Sequence, residues 1–175
     1  VMMAENINLI TDVGNNSLLE DSSLTNNKMP QNLEAEQGLI GSILFDNKTL
    51  EDLPISFDSK HFFDPIHASI FDACVLITDN GRLADPITLK GYLKDENSFR
   101  DIKTEEYLWD LREGVLSLSK AKFYADEIRN CYIRRSLIRI GDDLIDRSMN
   151  PSVDIAPDEE ISNTEEQLYN LAEKD

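Results

Sequence analysis

The chain has 175 residues, of which 41% are hydrophobic, so it is long enough to form a packed domain. Asp and Glu outnumber Lys and Arg by 34 to 17, which gives a net charge of −17. This charge argues against a protein that grips a nucleic-acid backbone or an anionic membrane surface by itself, because both tasks need a cationic face.

The N-terminal segment, 1–29, is rich in Asn, Ser and Asp and keeps no hydrophobic period, which predicts a disordered polar tail. It lacks the basic and apolar regions of a signal peptide, and no apolar run in the chain reaches membrane-spanning length. Cys74 and Cys131 form no disulfide framework and lie in apolar helical patterns. We therefore expect a soluble cytoplasmic protein with reduced thiols and no membrane partner.

The stretch "PQNLEAEQGLIGSIL" at 30–44 predicts a helix that is capped by Asn32 and carries acids in its first turn. Gly38 and Gly41 interrupt its apolar stripe, and each costs about 1 kcal/mol of helix stability relative to Ala. We expect the close approach of another helix to offset this cost. The alternative is that Gly38 is exposed and tolerated, and that only Gly41 is packed.

Further helices are predicted over 66–78, from Asp85 onward and over 104–114, because each stretch combines a capping residue with helical apolar spacing. A longer helix over 119–149 carries two apolar stripes. The first contains Tyr124, Ile128, Cys131, Arg135, Ile138, Asp142, Ile145 and Met149, and the second contains Ile133, Leu137, Ile140 and Leu144. Both faces must be buried, one against the chain's own domain and the other against a partner chain or a neighbouring hairpin helix.

After the break at "NPSVDIAP", a last amphipathic segment is predicted over 158–175. No strand pattern of useful length occurs, so the predicted fold class is all-α.

No catalytic, cofactor or metal site is predicted. The chain has neither a G-x-x-x-x-G-K-[ST] phosphate loop nor a G-x-G-x-x-G loop, and His61 and His67 lack metal-ligand spacing with the cysteines. Cys74 and His67 lie two helical turns apart, too far for a hydrogen bond along one helix. The G-x-x-G of Gly38 and Gly41 matches the RNA-binding loop of KH domains, but the flanking strands and basic residues of that loop are missing.

Six motifs occur in the order in which they occur in bacterial replicative DNA helicases of the DnaB family. They are P-x-N-x-E-A-E-x-x-L-I-G-S-I-L at 30–44, FFDPIHASIF at 62–71, GRLADPITLKGYL at 81–93, YLWDL at 107–111, AKFYADEIR followed by RRSLI at 121–138, and LYNLAE at 168–173. From residue 30 to its C-terminus the chain resembles the N-terminal domain of this family and the start of the linker helix that follows it.

The resemblance implies a globular helical head over 30–111, an antiparallel helical hairpin over 104–149, a linker over 150–157 and the start of a linker helix over 158–175. Hairpins of the family pair into dimers, and three dimers form a collar on a hexameric ring that receives primase and, at loading, a helicase loader. ATP and Mg²⁺ would be bound, and single-stranded DNA mainly engaged, by a further domain that this chain does not contain.

The long helix and the resemblance together predict self-association through the hairpin. The candidate residues are Tyr124, Ile128, Cys131, Leu137 and Ile138, whereas Gly38 and Gly41 are assigned to packing inside the head. A stand-alone helical adaptor that binds another protein is the alternative, and a small enzyme with a Cys or carboxylate site is a third possibility with little support.

Overall fold

The computed structural model describes residues 28–93 and 103–173. Within these ranges the chain forms α-helices and short 3₁₀ helices and no strand, so the predicted all-α class is confirmed. The α-helices are α1 Leu33–Phe45, α2 Pro65–Asp79, α3 Pro86–Leu93, α4 Thr104–Glu113, α5 Ala121–Met149 and α6 Pro157–Ala172. The 3₁₀ helices are Asn47–Asp52, Ser59–His61 and Leu118–Lys120. Residues 1–27 of the predicted tail and the last two residues of the chain lie outside the described ranges.

Helix α1 forms the centre of the head. Its N-cap is Asn32, whose side-chain oxygen accepts a 2.9 Å hydrogen bond from the backbone N–H of Ala35. Leu39, Ile40 and Ile43 are fully buried, and α1 packs against α2, α4 and α5. Burial of each such side chain stabilises the fold by about 1.5–3 kcal/mol, so α1 organises the core.

The two glycines of α1 lie where neighbouring elements come close. A Cβ atom at Gly38 would lie 2.6 Å from the ring of Tyr124, on α5. A Cβ atom at Gly41 would overlap the carbonyl oxygen of Leu111 and lie 3.0 Å from Cγ2 of Val115. Gly38 is half-buried under the Tyr124 ring, so the structure does not place it as a freely exposed glycine.

Arg112 joins α4 to the C-terminal end of α1. Its Nε donates to the carbonyl oxygen of Leu44 at 3.3 Å, and its guanidinium lies 5.4 Å from the ring centroids of both Phe45 and Trp109. The guanidinium is thus held between two aromatic rings, which favours cation–π attraction.

The helical hairpin differs from the one predicted over 104–149. Helix α4 packs on α1 and α3, and the antiparallel pair is formed by α5 and α6. Arg147 near the end of α5 pairs with Glu160 near the start of α6 at 2.8 Å, while Leu171 near the end of α6 shares a groove with Ile133 of α5. The segment predicted as the start of a separate linker helix is therefore the second arm of the hairpin.

No helix in the described part of the chain is long and apolar enough to cross a membrane.

Candidate functional site

The N-terminal half of α5 is buried against the head. Ile128 is 1% exposed and belongs to the chain's own core, as do Ala121 and Ala125. Ile128, which was predicted to lie on a self-association surface, therefore packs inside the same molecule. Tyr124 is half-buried on Gly38.

Cys131 marks the transition between the packed and the free half of α5. It is half-buried, and burial raises the pKa of its thiol. Beyond it, Leu137 is 46% exposed and Ile138 is 40% exposed. Of the five predicted interface residues, these two are the exposed ones.

The free half of the hairpin carries apolar side chains in the open. On α5, Ile138, Ile145 and Met149 follow one another at spacings of seven and four residues, which places them on one face of the helix. On α6, the exposed Ile161 and Leu168 are seven residues apart and also share a face. Several exposed apolar side chains on one helix face indicate a candidate protein-interaction site.

A buried polar network ties the head together. Glu36 of α1 and His67 of α2 are 2% and 1% exposed, and Oε2 of Glu36 lies 2.7 Å from Nδ1 of His67. The backbone N–H groups of Phe63 and Asp64 also donate to the Glu36 carboxylate. On the far side of the imidazole, Nε2 lies 2.7 Å from the hydroxyl of Tyr107, on α4.

These contacts satisfy each partner when the imidazole carries its proton on Nδ1. The Nδ1–H then donates to Glu36, and Nε2 accepts from the Tyr107 hydroxyl. Burial raises the pKa of Tyr107, which keeps its hydroxyl protonated and able to donate. The network thereby cross-links α1, α2 and α4, and losing one member would leave buried polar groups without partners, which is costly.

Arg135 fastens α5 to the head. It is 4% exposed, and its Nη1 and Nη2 donate to the carbonyl oxygens of Pro30 and His61 at 2.7 and 2.9 Å. Its guanidinium also lies 5.4 Å from the ring centroid of Phe63. This arginine, which the sequence places in the first stripe of α5, holds the start of the head and the 3₁₀ helix before α2 against α5.

The sequence predicted neither role, although helical spacing contained the signal. Glu36 precedes Ile40 and Ile43 by four and seven residues, and His67 precedes Ile70 and Cys74 by three and seven. Both polar residues therefore lie on buried faces. The acid in the first turn, Glu36, was instead explained by its attraction to the helix dipole. That explanation accounts for the charge of Glu36 but not for its burial.

Burial limits the reactivity of the titratable groups in the head. Cys74 is fully buried, and burial raises the pKa of its thiol to about 12, so it is not an activated nucleophile. Among the described residues, no group of three His, Cys, Asp or Glu side chains could hold a metal ion. Glu36 and His67 have the partners of a catalytic relay, but at 1–2% exposure no substrate reaches them.

A helical head that carries a long α-hairpin with exposed apolar side chains places the described part of the chain in the class of all-α domains. Residues 28–130, more than half of the chain, match the family model described as "DnaB-like helicase N terminal domain". The chain belongs to this family of DnaB-like helicase N-terminal domains.

Individual relatives agree with the family model. The replicative DNA helicase DnaB of Rickettsia felis is 37% identical over 144 residues, which cover 82% of this chain and 29% of that protein. The replicative DNA helicase DnaB of Rickettsia typhi is 35% identical over 167 residues, which cover 95% of this chain and 32% of that protein. The chain thus spans about a third of the length of these relatives.

The fold agrees as well. The crystal structure of the N-terminal domain of DnaB helicase from Mycobacterium tuberculosis superposes with a TM-score of 0.71 at 23% sequence identity. The alignment covers 82% of this chain and 99% of that structure.

Proposed function

We propose that this chain is the N-terminal collar domain of a replicative DNA helicase and that its copies self-associate through the α5–α6 hairpin. The exposed apolar stripes of the hairpin carry the proposal, since the head needs neither Ile138, Ile145 nor Met149 for its own core. Membership in the family supports the same function.

The proposal extends to the whole protein. A further domain would bind ATP and Mg²⁺, engage single-stranded DNA and complete a hexameric ring in the cytoplasm, as a trimer of dimers. The collar would receive primase and, during loading, a helicase loader. The support is the match of this chain to the DnaB helicases of Rickettsia felis and Rickettsia typhi over about a third of their length.

Sedimentation velocity tests self-association of the chain. We expect a reversible dimer with a dissociation constant in the micromolar range, visible between about 1 and 100 µM. In Ile138→Asp, dimerisation would bury an unpaired carboxylate, so the dimer should weaken by at least about tenfold. Because Ile138 is 40% exposed in the single chain, the variant should remain folded by circular dichroism.

Leu76→Asp is the matched control, because Leu76 is a 52% exposed apolar residue on α2, outside the hairpin. It should dimerise like the unaltered chain. A chain that stays monomeric at about 100 µM would contradict self-association of this domain by itself, and a dimer insensitive to Ile138→Asp would show that the contact lies elsewhere.

A further inference from the structure

A second surface of the head lies outside the hairpin. A groove of about 640 Å³ runs between α2 and the segment 47–58. Its floor is apolar and consists of Leu50, Leu53, Phe57, Phe71 and Val75. Pro54 and the fully exposed Ile55 stand at its edge, so the groove offers apolar contact both inside and at the rim.

The rim of the groove is acidic. Four carboxylates, those of Glu51, Asp58, Asp72 and Asp79, face one ammonium, that of Lys48. Asp58 is occupied locally, since its carboxylate pairs with Lys60 at 3.3 Å. The other three carboxylates make no ion pair within the described ranges 28–93 and 103–173.

Asp79 adds to the excess of negative charge at the groove. It is the last residue of α2, where the helix dipole is negative, and the last turn of α2 contains no basic residue. An acid at this end of a helix disfavours folding, and a cation would be favourable there. The groove therefore has a negative potential that the described part of the chain does not neutralise.

This charge distinguishes between possible occupants. A second copy of the chain carries a net charge of −17, and the N-terminal segment 1–27 is also acidic overall, so both would be repelled by the rim. A partner with basic residues beside apolar ones would pair with the carboxylates of the rim and also cover the apolar floor.

The shape of the groove indicates the form of the partner. Phe71, Val75 and Thr78 lie on one face of α2 over two turns, and Asp72 and Asp79 run beside them. The face is roughly 10 Å long, because an α-helix rises 1.5 Å per residue. This length suits contact with a second helix. Amphipathic helices bind such grooves through apolar anchors at i, i+3 or i+4, and i+7.

We propose that this groove docks a basic amphipathic helix of another protein. The apolar side of that helix covers Leu53, Phe57 and Val75, and its Lys or Arg side chains pair with Glu51, Asp72 and Asp79. The site is separate from the hairpin stripes, so it does not depend on the proposed self-association.

The probe is a fluorescein-labelled designed helix with Leu at i, i+4 and i+7 flanked by Lys and Arg. Its binding to the full chain is followed by fluorescence anisotropy at about 0.15 M salt, where exposed charges are screened over about 8 Å. We expect a dissociation constant in the micromolar range. A control peptide with the same charges and Gln in place of Leu should bind at least about tenfold more weakly, because it cannot cover the floor.

Two double variants separate the groove from general attraction to an acidic chain. Glu51→Lys with Asp72→Lys should weaken binding of the Leu peptide at least about tenfold. Glu113→Lys with Asp126→Lys changes the net charge equally at exposed positions outside the groove and should leave binding within about twofold. Circular dichroism melts establish that both proteins are folded.

Three outcomes would overturn the proposal. The first is equal binding of the Leu and Gln peptides, which would make the attraction non-specific. The second is binding by the groove variant as tight as that of the unaltered chain. The third is loss of dimerisation by the groove variant in sedimentation, which would assign the groove to a second copy. Ile138→Asp should leave peptide binding unchanged, so failure of the hairpin proposal and failure of this one are distinguishable.

Discussion

Glycine at position 41 allows α1 to touch the backbone at the end of α4. A Cβ atom there would overlap the carbonyl oxygen of Leu111, and a backbone carbonyl cannot rotate out of the way as a side chain can. Overpacking usually costs about 1–3 kcal/mol, which opposes a gain in helix propensity of about 1 kcal/mol. We therefore predict that Gly41→Ala lowers the free energy of unfolding by up to about 2 kcal/mol.

Gly141→Ala is the matched control for this prediction. Gly141 lies within α5, and a Cβ atom there would meet nothing within 4 Å. Alanine should therefore raise the free energy of unfolding by about 0.5–1 kcal/mol, because it only restricts the unfolded chain and favours the helix. Urea unfolding followed by circular dichroism measures both variants, and stabilisation by Gly41→Ala would contradict the packing argument.

His61 makes stability depend on pH. Burial lowers the pKa of this imidazole, as do the cations Lys60 and Arg129, and these outweigh the Asp58 carboxylate, which raises it. In the unfolded chain the pKa of His61 is near 6.5, so the unfolded chain binds a proton at this imidazole more readily than the folded chain does. Stability is fully present above about pH 6.5 and is lost as the pH falls from there toward the lower pKa of the folded state.

The measurement is the free energy of unfolding between about pH 7.5 and 5.5 for the unaltered chain and for His61→Phe. Phenylalanine keeps the stacking on Phe57 and the edge contact with Tyr132 and removes the titration. The variant should lose less stability on acidification than the unaltered chain does. Equal slopes would show that His61 does not contribute.

Residues show where sequence reasoning succeeded and where it stopped. The cap at Asn32 was predicted correctly, because capping depends on a residue and its near neighbours alone. The partners within the Glu36 network were not predictable, since Glu36 and His67 are 31 residues apart and His67 and Tyr107 are 40 residues apart. Helical spacing could have indicated that Glu36 is buried, but only the fold brings its partners to it.

At the scale of elements, the helices were predictable and their pairing was not. The prediction that the two stripes of α5 need two packing partners was correct. The head is one of these partners, since it packs against Ile128 of the first stripe. The other inner stripe includes Ile133 and Ile140, which line the groove shared with Leu171 of α6. Helix α4 was expected to pair with α5, but its buried residues Leu108 and Leu111 pack in the head.

An ion pair joins the two arms of the hairpin near its turn. Nε of Arg147 donates to Oε2 of Glu160 at 2.8 Å, and both side chains are partly shielded. We predict that Glu160→Arg weakens the docking of α6 on α5 by about 0.5–1 kcal/mol, through loss of the pair and like-charge repulsion. Hydrogen exchange of the α6 amides should accelerate by a factor of about 2–5, while exchange in α1 stays unchanged.

The exchanged pair, Arg147→Glu with Glu160→Arg, should restore slow exchange in α6. Glu159→Arg is the control, since Glu159 is exposed and makes no ion pair in the described part of the molecule. If Glu159→Arg accelerates exchange as much as Glu160→Arg does, net charge in the first turn of α6 decides the docking, and the ion pair does not.

At the scale of the whole molecule, net charge limits the affinity of the chain for nucleic acid. The net charge is −17, and three arginines are engaged internally: Arg112 with two aromatic rings, Arg135 on two carbonyl oxygens and Arg147 on Glu160. Affinity for single-stranded nucleic acid depends on cations that displace counterions from phosphates. The isolated chain should therefore bind it weakly, even if the whole protein acts on it.

We predict a dissociation constant for single-stranded DNA on the order of 10⁻⁴ M or weaker at physiological salt. Fluorescence anisotropy of a labelled oligothymidylate titrated with the chain measures it. Lowering the salt should not produce tight binding, because weaker screening strengthens repulsion between a net-negative protein and phosphates as well as any local attraction. The Glu113→Lys, Asp126→Lys variant is the control and should bind no more than slightly better. Submicromolar binding by the unaltered chain would reveal a cationic path along its surface and would contradict the assignment of DNA contact mainly to a further domain.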